Sequence, residues 1–106
     1  MGILDIFKQA DMNQSVETCR NTPGALLIDV RSASEFDGGH IPGSINLPIQ
    51  ALQRAENQLG DPQTPIYVYC QSGARSSRAA KLLEVMGYHR VTDLGGIGGY
   101  QGELEK

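Results

Sequence analysis

The chain has 106 residues, 40% of them hydrophobic and 20% charged, which suits one globular domain and leaves no room for two. A net charge of −3, no tryptophan and few aromatics argue against a surface that grips or stacks on nucleic acid. Only two cysteines, Cys19 and Cys70, and two histidines, His40 and His89, are present, too few and too scattered for a structural zinc site, so neither a metal nor another cofactor is expected.

The opening MGILDIFKQADMN has no basic region followed by a long apolar one, and no later stretch approaches the length of a membrane helix. A cytosolic protein with reduced thiols is expected. Ile3, Ile6, Phe7 and Ala10 fall on one helical face, so residues 1–11 are read as an amphipathic N-terminal helix. It would pack on the domain or serve a partner, since Lys8 alone is weak support for a membrane surface. Met12, Val16 and Cys19 define a second helix ending in NTPG, which makes Cys19 a buried, inert thiol.

ALLIDV (25–30), SINLP (44–48) and PIYVYC (65–70) are apolar runs suited to strands buried on both faces of a parallel sheet, and RVTDL (90–94) is a shorter version. Ile49, Leu52 and Leu59 keep one helical face in step between them. Ala79, Leu82, Leu83 and Met86 mark another helix, with Gly87 placed to cap it. Alternating strands and helices predict an α/β domain over residues 12–106, with a central parallel sheet of four to five strands and helices on both faces.

In such sheets ligands sit beyond the carboxyl ends of the strands. Cys70 ends a predicted central strand, QSGAR follows, and SSRAAKLLEVMG opens a helix. The partial positive charge and unpaired amides of the helix start, with Arg75 and Arg78 nearby, favour a thiolate. Gly73 lets the loop curl its amides around the sulfur. A plain core cysteine would account for C-x4-R alone, but not for strand, loop, small residues and helix in this order.

VYCQSGARSSRAAKLLEVMGY closely resembles the active-site strand, loop and helix of the single-domain rhodaneses, or thiosulfate sulfurtransferases. LLIDVRSASEFDGGHIPGSINLP resembles that family's D-V-R and G-H-I-P-G-A-I-N segments, and LGGIGGY its closing segment. The match runs from Leu26 to Tyr100 and departs only in detail, with Ser44 where alanine is usual and Tyr100 where tryptophan is common. The resemblance implies a rhodanese-like fold and a Cys70 thiolate that takes the sulfane sulfur of thiosulfate, or a related small anionic donor, as a persulfide. A thiol or cyanide would then accept it. The amides of Gln71, Ser72, Gly73, Ala74, Arg75 and Ser76 would hold the persulfide charge, Arg75 would bind the donor, and Ser72 and Ser76 would add hydroxyl donors.

Asp29 and Arg31 are expected to pair or to brace neighbouring loops, with Glu35 as a second partner for Arg31. His40, in GHIPG, is read as a hydrogen bonder that fixes a turn. The run from Gly96 to Gln101 lacks the third glycine of a dinucleotide loop. Two rivals remain. A phosphatase or arsenate reductase would use the wider C-x5-R loop. A low-turnover persulfide carrier would hand its sulfur to a biosynthetic or redox protein, docking through residues 1–11. A monomer is expected.

Overall fold

The computed structural model describes residues 11–106, and the expected amphipathic helix at the N-terminus falls outside them, apart from Asp11. The Asp11 carboxylate accepts from the Asn13 amide at 2.8 Å and so caps α1 (Met12–Arg20). α1 buries Met12, Val16 and Cys19, the three residues whose spacing marked its inner face. A turn through Thr22 and Gly24 leads into β1 (Leu26–Asp29).

The described residues form a four-stranded, all-parallel sheet in the order β2 (Ile45–Asn46), β1, β3 (Ile66–Cys70), β4 (Val91–Gly96). Successive strand residues point to opposite faces, so two cores form. Ile28 of β1 and Ile66, Val68 and Cys70 of β3 pack with Leu52, Leu59, Ala79 and Leu83. Leu27 and Tyr69 pack on the other side with Met12, Val16, Cys19, Ile41 and Ile97. Burying each such leucine or isoleucine contributes roughly 1.5–3 kcal/mol.

Only the central strands are buried as their apolar runs predict. β2 pairs over two residues and Ile45 is 39% exposed, because β2 is an edge with one neighbour. β4 is the other edge; it is only partly buried and runs on to Gly96. A register shift opposite Val68 and Tyr69 leaves Leu94 unmatched, and Gly95 there takes φ +83°.

The helical face expected through Ile49, Leu52 and Leu59 is broken in two. A 3-10 helix (Ile49–Arg54) is followed, after Ala55, by the single turn α3 (Glu56–Leu59). Leu52 and Leu59 are nonetheless fully buried. A helix absent from the sequence reading, α2 (Ala33–Asp37), follows β1. The Ser32 hydroxyl accepts from the Glu35 amide, and the Glu35 carboxylate accepts from the Ser32 amide, forming a reciprocal capping box.

α4 (Ala74–Val85) lies on the β3–β4 side and starts two residues before the expected Ser76. It ends as Gly87 predicts. Gly87 takes φ +106° and donates to the Glu84 carbonyl, and Tyr88 donates to that of Leu83, a Schellman closure with buried Tyr88 beneath it.

Candidate active site

Cys70 is the last residue of β3 and is fully buried. The chain then turns within three residues into α4, with Gly73 at φ +99° as the pivot. A side chain is strained at that torsion, and the turn aims successive amides inward. The Gly73 amide donates to Cys70 Sγ at 3.0 Å and the Ser76 amide at 3.3 Å. The thiol faces Ser76 Oγ at 3.5 Å, while that hydroxyl donates to the Gly73 carbonyl at 3.1 Å. When Cys70 ionises, the hydroxyl is free to turn its hydrogen to the sulfur.

Burial by itself pushes the Cys70 pKa up. The Ser76 hydroxyl and the amides of Ser76, Gly73 and Ser72 outweigh it, and the pKa falls below the ordinary thiol value of 9.0. The main stabilisers are therefore the neutral dipoles of the loop, the amides expected from sequence among them, and not Arg75 and Arg78, which the sequence also offered. Arg78 is exposed on α4. Arg75 forms a bidentate pair with Glu35, Nη1 to Oε1 at 2.8 Å and Nη2 to Oε2 at 2.9 Å. Its charge is raised in pKa first by that hydrogen-bonded carboxylate, against burial, with the Cys70 thiolate a smaller contributor.

Glu35 thus serves Arg75 and not, as expected, Arg31. Arg31 is satisfied by Asp29, whose two oxygens accept from Nε at 3.1 and 3.0 Å and from Nη2 at 2.7 Å. Both side chains are buried, and removing one partner of such a pair costs about 3–5 kcal/mol. Arg31 also braces two loops, donating to the Gln71 side chain at 3.0 Å and to the Gly39 carbonyl at 2.7 Å. Asp29 and Arg31 therefore act as the pair and brace foreseen from sequence, and they reach the Cys70 loop through Gln71. The side chains of Ser72 and Ala74 stand exposed at the loop surface.

Two glycines seat the loop from below. A Cβ on Gly96 would lie 2.7 Å from the Gln71 carbonyl oxygen, and one on Gly73 would lie 3.8 Å from Gly95 Cα. The sequence reading placed Gly96 in the family-like closing segment LGGIGGY and in an incomplete nucleotide motif, and gave it no contact with the loop. No pattern in the chain links it to Gln71, although a paired glycine at a strand end is a general sign of close backbone approach.

His40 fixes its turn as expected. Its Nδ1–H donates to the Phe36 carbonyl at 2.9 Å, its ring stacks on Phe36 at 3.6 Å, and its backbone exchanges hydrogen bonds with Glu105. Ser44, one departure from the family pattern, donates to the Ile41 carbonyl and accepts from the Tyr69 hydroxyl at 3.1 Å. Tyr69 is fully buried, and burial pushes its pKa up to about 12, so it stays neutral and ties this turn to β3. Tyr100, the other departure, has its hydroxyl 3.5 Å from Arg20 Nη2, away from the loop. Among the described residues no cluster suited to a metal ion occurs, and no helix is long and apolar enough to cross a membrane.

A central strand of a parallel α/β sheet thus delivers a cysteine to the inward-aimed amides of the loop that follows it. The chain belongs to the rhodanese-like domain family, whose model matches residues 11–103. It is 40% identical over 82 residues to the uncharacterized protein YqhL of Bacillus subtilis, covering 76% of this chain but only 64% of YqhL, just under two thirds of that relative's length. It is 33% identical to the thiosulfate sulfurtransferase GlpE of Haemophilus influenzae, over 91% of this chain and 87% of that protein. A solved rhodanese with anions from E. coli superposes with a TM-score of 0.72 at 30% identity, covering 77% of this chain and 98% of that one.

Proposed function

We propose that the domain transfers sulfane sulfur through a persulfide on Cys70. The cradle around Sγ carries this reading, because it lowers the thiol pKa despite complete burial. The Cys70 thiolate attacks the outer sulfur of thiosulfate or a related donor. A new S–S bond forms at Cys70, the donor's S–S bond breaks, and sulfite leaves with the electron pair. The terminal sulfur then carries the negative charge, facing the same amides. A thiol or cyanide attacks that sulfur, and Cys70 leaves as the thiolate from which the cycle began. No general base is required, since the nucleophile is stabilised by the loop itself.

The short C-x4-R loop, closed by amides onto a single sulfur, favours sulfur over a tetrahedral phosphoryl group. The test is the intact mass of the protein after brief exposure to thiosulfate. Wild type should gain one sulfur that cyanide or a dithiol removes, and Cys70→Ser should gain none. Wild type that gains nothing while Cys70 stays reduced would overturn thiosulfate as a donor.

A further inference from the structure

The segment after Tyr100 leaves the sheet and reaches the turn between α2 and β2. At its start the Gln101 amide donates to the Asn13 side chain at 2.8 Å, which ties it to α1. Further on, Glu105 forms an isolated antiparallel bridge with His40, each amide donating to the other's carbonyl at 2.8 Å. Leu104 leans over Gly39, where a Cβ would lie 3.3 Å from its Cδ1. The Glu105 carboxylate is 3.6 Å from His40 Nε2, too far for a good hydrogen bond, so the backbone carries the contact. Leu104 and Glu105 thus lie as a strap across the Gly39–His40 turn. Gly39 takes φ +146°, and glycine loses more freedom on ordering than any other residue, so this turn depends on outside contacts to hold it.

The turn is a joint between two braces of the Cys70 loop. The Gly39 carbonyl accepts from Arg31 Nη2 at 2.7 Å, and Arg31 Nη1 donates to the Gln71 side chain at 3.0 Å. His40 Nδ1–H donates to the Phe36 carbonyl of α2 at 2.9 Å, and its ring stacks on Phe36. α2 carries Glu35, whose carboxylate grips Arg75 at the start of α4. Because α2 buries no residue, apolar packing holds it weakly and these polar contacts set its place. The Arg31–Gln71 and Glu35–Arg75 braces therefore meet at Gly39 and His40, under the strap.

We infer that Leu104 and Glu105 are positioning residues, a strap that fixes the joint of both braces and so keeps the Gly73 and Ser76 amides on the Cys70 sulfur. For its effect on rate the proposal rests on sulfur transfer at Cys70; for its effect on loop order it does not. Leu104 is 46% exposed and Glu105 is exposed, so the strap can be released without opening either core. Release frees the Gly39 carbonyl and loosens the hydrogen bond it accepts from Arg31. The Gln71 side chain then has a less fixed partner, and the amides that follow Cys70 spread over more orientations. Donors stabilise charge best when they are already in place, so transfer slows although no group touching the sulfur has changed.

The experiment compares wild type, Glu105→Pro, Glu105→Gln and Leu104→Ala. Proline removes the amide that donates to the His40 carbonyl, whereas glutamine keeps both backbone bonds. The readouts are hydrogen exchange of the Gly73 and Ser76 amides, the pH midpoint of Cys70 alkylation by iodoacetamide, and kcat/KM for sulfur transfer from thiosulfate to cyanide. Glu105→Pro should exchange those amides about tenfold faster, move the midpoint to higher pH and lower kcat/KM about tenfold, mostly in kcat. That factor is the upper range for one backbone hydrogen bond. Glu105→Gln, the conservative variant, should match wild type in all readouts. If the proline variant does not fold, Leu104→Ala decides: it should exchange the amides about threefold faster, and unchanged exchange would overturn the proposal. A strap that only stabilises the fold would lower the melting temperature and leave midpoint and rate alone. That result in Glu105→Pro, or equal losses in Glu105→Gln, would also overturn it. Wild type that transfers no sulfur would sink the reading of Cys70 instead, while exchange and alkylation still decide for or against the strap.

Discussion

Cys70 and Cys19 lie on opposite faces of one sheet and are almost equally buried, at 0% and 5% exposure. Their acidities move in opposite directions. For Cys19, on α1 among Met12, Val16 and Leu27, burial pushes the thiol up and the neighbouring Arg20 offsets it only in part. For Cys70 the same burial is overcome by one hydroxyl and a run of backbone amides, and the thiol becomes more acidic. What separates the two thiols is the set of donors aimed at Cys70, the Ser76 hydroxyl and the loop amides, which Cys19 lacks among the causes of its shift. Cys19 also borders a cavity of about 330 Å³ with Arg20, Pro23, Ala25 and Pro42.

The sharpest way to break this comparison is to exchange the two sites' fates. Cys70→Ser should abolish sulfur transfer, while Cys19→Ser should retain it, measured as turnover of thiosulfate with cyanide. Loss of turnover only in the Cys19 variant would reverse the assignment. Next in size is Gly96→Ala. The added Cβ would meet the Gln71 carbonyl at 2.7 Å, and a backbone shift of the loop should lower kcat/KM by about 100-fold while the melting temperature falls modestly. Unchanged turnover would show that the loop need not sit on β4.

A smaller effect isolates the hydroxyl. Ser76→Ala removes one donor to the sulfur and should raise the Cys70 pKa. The rising limb of the rate against pH, which follows the thiolate, should move to higher pH by the same amount. The smallest effect concerns stability. The folded pKa of Glu35 is depressed to about 2 from its ordinary 4.5, so its contribution to stability is present above about 4.5 and is lost as pH falls towards 2. Denaturant midpoints of wild type and Glu35→Gln should therefore converge as the buffer is acidified through that window.

Parts of the molecule were legible in the sequence for physical reasons. β1 and β3 read clearly because central parallel strands are apolar on both faces, and α1 and α4 because each buries a stripe at helical spacing. α2 gave no such signal. It buries no residue, and only the spacing of Ser32 and Glu35 marks its start. The segment from Ile49 to Leu59 kept its buried leucines but not a single helix, since burial of Leu52 and Leu59 constrains two points and not the path between them. Within the site, Cys70 and its loop are contiguous in the chain and were found together. The contacts that position the loop come from Arg31, Glu35 and Gly96, each far from it in sequence, and local patterns carry no trace of those pairings.

The most direct test of the cradle is the pH dependence of alkylation by iodoacetamide, read separately at Cys70 and Cys19 by peptide mass. Cys70 should react with a midpoint below the ordinary thiol value of 9.0, and Cys19 should stay unmodified until the protein unfolds. A Cys70 midpoint at or above that value would contradict a thiolate held by the loop amides.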